Sequence, residues 1–272
     1  MAHLTLVSYL APNLFWFYRA IGLYWERSLS ISVDLTQAQG DPLEDPRLLN
    51  NQLDVAFLCG LPFARYCQTS PEQFQALVAP VMTADRYQDH PVYFSDVIVS
   101  ATSDLKTFNP FVGKTFCYND PGSNSGYTLM HYYLMHNNYS VDFFGKVMQS
   151  GSHQRSMRWV AEGKVDCAAI DSTVLQQELR MVPELAQQIR VIESIGPCPI
   201  PPIVSTRRLG TTLLNQLQLA LLQPDQELQS QMQQAGIRRF VAVQSEGYAE
   251  LAQIYDRTSD YRTAFQALSR LP

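Results

Sequence analysis

The sequence predicts an α/β protein of two lobes joined by two chain crossings. Three observations lead to this. Short apolar runs alternate with helix-forming stretches along most of the chain, the pattern of parallel βαβ units. The run Leu53-Asp54-Val55-Ala56-Phe57-Leu58-Cys59-Gly60 is echoed by Val165-Asp166-Cys167-Ala168-Ala169-Ile170-Asp171. Each follows a helix and a short turn, carries Asp second, and runs apolar to a polar or glycine end. This fits one βα element used once per lobe, although two buried strands can also look alike by chance. Finally, two extended stretches, Pro91 to Val99 and Ile192 to Pro202, bracket a complete α/β set. The expected division is 1–96 with 203–272 as the first lobe and 97–202 as the second, with a cleft between them.

The elements follow in order. Leu4 to Tyr9 reads as a strand, Ala11-Pro12-Asn13 as a turn, and Leu14 to about Glu26 as a helix capped by Asn13. Ile31-Ser32-Val33-Asp34-Leu35 alternates like a second strand. Asp41 to Pro46 enters a short helix ending near Asn50-Asn51, and the strand from Leu53 runs into a Gly60-Leu61-Pro62 turn. In the second lobe, the strand Thr115 to Tyr118 leads through Asp120–Tyr127 into a helix, and Gln154 to Ala161 is amphipathic and ended by Gly163. Pro197, Pro199, Pro201 and Pro202 force extended backbone on the return. Helices at about 211–222 and 225–235, a strand at 238–243 and a helix at 246–256 complete the chain.

Composition narrows the function. The chain has 272 residues, 46% hydrophobic and 17% charged, with a formal net charge of -5. That balance, with no clustered Lys or Arg, argues against a nucleic-acid partner. The five cysteines are scattered without metal-ligand spacing and read as reduced thiols. Met1-Ala2-His3 lacks the basic start of a secretory signal, and the apolar stretch Leu14 to Trp25 is interrupted by Arg19. The chain therefore reads as soluble: periplasmic if a signal peptide has been removed, cytoplasmic if it is the full gene product. No metal or cofactor is expected, and the reading favours a monomer.

The chemistry concentrates at helix starts. Ser123, Asn124 and Ser125 stand between Gly122 and Gly126, after a strand and before a helix. The first N–H groups of a helix lack intrahelical partners and its macrodipole is positive there. Two hydroxyls and an amide added to them can converge on one small anion; a plain cap needs only one such residue. Ser150-Gly151-Ser152-His153 opens a second helix and adds His153. Asp171 ends a parallel strand, where ligands of open sheets gather, or else caps the next helix. Tyr93 is the aromatic placed to wall the cleft, and Gly60 and Leu61 could offer backbone N–H groups from the first lobe. The motifs GxSxG, GxxxxGKS/T, GxGxxG and HExxH do not occur. These residues suit holding an anion better than transforming it.

Together, Asp120–Gly126, Ser150–His153, Gly163–Asp171, Tyr93, the Pro-rich return and the stretch from Gly236 to Tyr248 resemble the phosphate, phosphonate and phosphite substrate-binding proteins of ABC transporters. The resemblance implies the two-lobed type II periplasmic-binding-protein fold, closing on its ligand. It implies that Ser123, Asn124, Ser125 and His153 hold phosphoryl oxygens, with Tyr93 and Asp171 as further cleft partners and an ABC permease as protein partner. The chain differs in carrying Asn124 where Thr is common and a thiol, Cys59, before Gly60. The function expected is capture of a small phosphorus oxyanion for uptake. The alternatives are a cytoplasmic ligand sensor of the same fold and an enzyme using His153 and Asp171 as acid and base.

Overall fold

Leu4, Leu6 and Val7 are fully buried, so the opening strand β1 (His3–Ser8) sits inside a sheet. The computed structural model describes residues 2–38 and 40–269. In helix α1 (Phe15–Leu29), Phe17, Tyr18, Ile21, Tyr24 and Trp25 recur at helical spacing and are buried, and Ser30 ends the helix in the left-handed region. The helix runs three residues beyond the expected Glu26. Asn13 lies within the 3-10 turn Pro12–Leu14 rather than capping α1. Next come β2 (Ser32–Gln37), the short α2 (Pro46–Leu49) and β3 (Val55–Phe57).

Gly60-Leu61-Pro62 is not a turn. It is the first turn of α3 (Gly60–Thr69), where Pro62 is tolerated because N–H groups there have no intrahelical acceptor. The strand β4 (Phe74–Met82) follows. Its apolar residues are continuous rather than alternating, because it is a buried strand.

The second unit holds β5 (Val92–Ser100), β6 (Thr115–Tyr118), α4 (Leu129–His136), β7 (Lys146–Gln149), α5 (His153–Ala161) and β8 (Cys167–Asp171). Helices α6 (Ser172–Met181) and α7 (Leu185–Gln188) and the long β9 (Ile189–Pro199) complete it. The chain then returns through β10 (Ile203–Thr206), α8 (Gly210–Leu222), α9 (Gln226–Gln234) and β11 (Ile237–Ala242). It ends with α10 (Ala249–Arg257) and α11 (Ser259–Leu268).

The first unit, 1–92 with 199–250, has a six-stranded sheet in the order β11-β4-β10-β3-β1-β2. The second, 93–198 with 251–272, has a five-stranded sheet in the order β7-β6-β8-β5-β9. Two passages fall close to those expected, at 92/93 and 198/199, and a third occurs at 250/251. The expectation that all of 203–272 belongs to the first lobe is corrected by Phe265. Its ring packs on Phe116, Tyr127, His131 and Phe144, all in the second unit.

The repeated βα element is structural. Asp54 Oδ2 accepts the backbone N–H of Thr5 at 2.8 Å, and Asp166 Oδ2 accepts that of Thr115 at 2.7 Å. In both units the aspartate before the strand thus accepts a backbone N–H of the neighbouring parallel strand, at its third residue in β1 and its first in β6. The likeness is therefore one of use as well as of sequence.

Candidate functional site

Parallel pairing of β6 with β7 builds the site. Tyr118 stands opposite Gln149 in register, so the chain leaves both strands at the same level. Two more backbone bonds extend the pairing: Ser150 N–H to Tyr118 O and Gly151 N–H to Asn119 O, each 2.8 Å. The two loops that follow each open a helix, so two helix N-termini are set side by side. Both ends are positive through the macrodipole and rich in N–H donors.

The first helix opens with a π-turn over Asn124–Thr128 that runs into α4. Thr128 N–H bonds Ser123 O at 3.1 Å, the wider spacing of such turns, which occur often at functional sites. Ser123 is the cap: its Oγ accepts the Gly126 N–H at 3.0 Å, while its own O–H stays a donor. Asn124 is fully buried and donates through Nδ2 to the Tyr93 hydroxyl at 2.8 Å. Ser125 Oγ lies 3.4 Å from His153 Nε2, and Ser125 O accepts the Ser95 hydroxyl at 2.6 Å. A Cβ on Gly126 would lie 1.8 Å from Asn119 Oδ1, so a larger residue here would have to displace the end of the Asn119 side chain.

The second helix is α5, capped by Ser152, which accepts the Arg155 N–H at 3.2 Å. That leaves His153, the first helical residue, free of the capping role. Burial lowers its pKa to about 4, so the imidazole is neutral at pH 7 and carries one N–H. Among the described residues, its Nδ1 has no hydrogen-bond partner.

Asp171 faces Ser95 across β8 and β5. Its Oδ1 caps α6, accepting Thr173 N–H at 2.8 Å, Thr173 Oγ1–H at 2.6 Å and Val174 N–H at 3.3 Å. Burial raises its pKa to about 6, against the pull of those hydrogen bonds. The carboxyl therefore titrates close to neutrality.

Of the eight expected residues, Tyr93, Asn124, Ser125 and His153 are joined by direct contacts. Ser123 caps the same turn, and Asp171 sits one strand away as a helix cap. Gly60 and Leu61 belong to the first unit, buried at the start of α3. Sequence reasoning missed Ser95 and Asn119. Ser95, fully buried in an apolar strand, braces the main chain of Ser125. Its one readable sign is a small polar residue at the middle of the β-rich run from Pro91 to Val99. Asn119 packs into the space a side chain at 126 would need.

Comparison with known proteins identifies the family and the fold. Residues 13–248 match the family described as ABC transporter, phosphonate, periplasmic substrate-binding protein. The phosphonates-binding periplasmic protein of Escherichia coli (strain K12) is 30% identical over 167 residues, 60% of this chain. That match spans 47% of the relative's length.

Two solved structures are similar over nearly the whole chain. One is the binding protein component of an ABC phosphonate transporter from Pseudomonas aeruginosa, with TM-score 0.80 and 18% identity. It covers 98% of this chain and 94% of that one. The other is PhnD1 from Prochlorococcus marinus (MIT 9301), solved in complex with methylphosphonate, with TM-score 0.82 and 15% identity. It covers 95% of this chain and 98% of that one. At these identities the likeness is one of fold, the periplasmic-binding-protein fold expected from the sequence. With 13–248 matched, the chain belongs to the phosphonate periplasmic substrate-binding protein family of ABC transporters.

Proposed function

We propose that this protein captures a small phosphorus oxyanion, a phosphonate, phosphate or phosphite, and delivers it to an ABC permease from the periplasm. The observation that carries this reading is the convergence of Ser125 and His153, from two adjacent helix starts, to 3.4 Å. Family membership and the methylphosphonate held by the Prochlorococcus relative support it. The named donors are neutral, so affinity would come from oriented hydrogen bonds and two helix dipoles. Charge-assisted bonds of this kind are about twice as strong as neutral ones.

Capture rather than turnover is supported by the histidine's surroundings. Ser125 and His153 are placed as a hydroxyl and a base, yet no group among the described residues bonds Nδ1 to fix the ring as a third member would. Asp171 is instead engaged with Thr173 and Val174. Among the described residues, no helix is long and apolar enough to cross a membrane.

The test is calorimetric titration with methylphosphonate, phosphate, phosphite and sulfate. Micromolar or tighter binding of at least one phosphorus ligand, with sulfate weaker, is expected. Absence of binding by all three phosphorus ligands would overturn the reading.

A further inference from the structure

The oxyanion turn is held from behind by a part of the chain that the family match does not include. The match ends at 248, and α11 lies wholly beyond it. Phe265, the fully buried residue of α11, has its ring centroid 4.3 Å from His131 and 6.1 Å from Tyr127. Tyr127 belongs to the π-turn itself, next to Gly126, and stands 4.2 Å from His131 and 4.7 Å from Tyr118. Tyr118 is the last residue of β6, from which the donor loop departs. The turn also meets the Asn119 side chain, whose Oδ1 would lie 1.8 Å from a Cβ at 126. The turn thus rests on a cluster of edge-on and tilted rings in which Phe265 also touches Phe116 and Phe144.

A second attachment seats the helix: the Tyr261 hydroxyl donates to Tyr139 O at 2.8 Å, just past the end of α4. Packed rings of this kind have few alternative arrangements, so loss of one member is felt by the next.

We infer that α11 is a positioning element for the oxyanion turn: docking of Phe265 sets Tyr127, and through it the direction of the Asn124 and Ser125 donors. Ligand binding and helix docking then stabilise each other, because coupling between two sites is reciprocal. This rests on the proposed oxyanion reading of the site.

Hydrogen exchange read by mass spectrometry, with and without methylphosphonate, tests it in wild type, Phe265→Ala and Phe265→Leu. In wild type, ligand is expected to slow exchange in 259–268 as well as in 123–131. Phe265→Ala is expected to speed exchange in both segments while strands 3–8 and 55–57 keep wild-type protection. It should also weaken methylphosphonate binding by about five- to tenfold. Phe265→Leu, which keeps most of the apolar volume, should recover most of the affinity; it also serves if the alanine variant does not fold.

Faster exchange confined to 259–268, with 123–131 and the affinity unchanged, would overturn the inference. If wild type binds no phosphorus ligand, the functional reading fails. The ligand-free exchange comparison still decides whether helix and turn are coupled.

Discussion

Replacing Ser125 by alanine separates the binding role of the turn from its structural one. Its main chain is pinned independently of the hydroxyl, since Ser125 O accepts Ser95 Oγ–H at 2.6 Å. Among the described residues the hydroxyl itself has one polar contact, 3.4 Å to His153 Nε2, which is long for a hydrogen bond. Losing it should cost at most about 1 kcal/mol of folding stability. Toward an oxyanion the same hydroxyl is a charge-assisted donor, worth about 1.5–3 kcal/mol. Each 1.4 kcal/mol is about tenfold in affinity, so methylphosphonate should bind at least about tenfold more weakly.

Ser123→Ala provides the contrast. It removes the cap on Gly126 N–H, and its stability should fall by about 1 kcal/mol even without ligand. Calorimetry and urea denaturation of the free proteins measure both quantities. A Ser125→Ala protein with unchanged affinity but stability reduced by about 2 kcal/mol or more would refute the reasoning and leave Ser125 a framework residue.

Three further outcomes follow from the same geometry. In Gly126→Ala, the new Cβ would lie 1.8 Å from Asn119 Oδ1 and 3.1 Å from Ser123 Oγ. Stability should drop by about 1–3 kcal/mol in denaturation, and the double variant with Asn119→Gly should recover part of it. On acidification, His153 and His131 have pKa values held by burial at about 4 and 3, below the ordinary 6.5. The unfolded chain takes up protons first, so their stabilisation is complete above about pH 6.5 and is lost as the pH falls toward 4, by about 3 kcal/mol for each histidine. Asp171 runs the other way, its share present below 3.8 and lost as the pH rises through about 6, so Asp171→Asn should steepen the acid loss seen in urea midpoints between pH 7.5 and 4.5. Because asparagine also caps helices well, that variant should fold, bind methylphosphonate more tightly and aminomethylphosphonate more weakly, shifting their ratio by roughly tenfold; an unmoved ratio would make Asp171 a cap only.

Much of this was legible from residues alone. The donor turn, the second helix start and the βα echo all rest on short-range patterns: a strand, small polar residues, then helix formers. Such patterns survive folding because they are local. The start of α3 was misread because Gly-Leu-Pro carries turn residues, while proline is equally at home in a first helical turn. The placement of 251–272 was not readable, since nothing local says which sheet Phe265 will meet. Asn119 was missed for the same reason. Its role is to fill the space beside Gly126, a fact of three-dimensional packing rather than of spacing.

The two units differ in the side chains at their helix starts. Each contains a strand, β1 in the first and β6 in the second, that pairs parallel with its neighbours and leads into a helix. In both, an aspartate ahead of a neighbouring strand accepts one of its backbone N–H groups. After β1 the helix entry is Leu10-Ala11-Pro12-Asn13-Leu14, where Pro12 contributes no N–H and Leu10, Ala11 and Leu14 are apolar. After β6 the corresponding entry is Asp120 to Ser125, with two hydroxyls and an amide. The second βα element repeats the contrast: α3 begins Gly60-Leu61-Pro62, whereas α6 is capped by Asp171 and begins Ser172-Thr173. With the same backbone plan twice over, hydroxyl side chains stand at the helix starts of one copy only, in the stretches compared. The proposed anion recognition in the second unit would therefore come from the side chains placed at its helix starts, since the helix dipole alone is common to both.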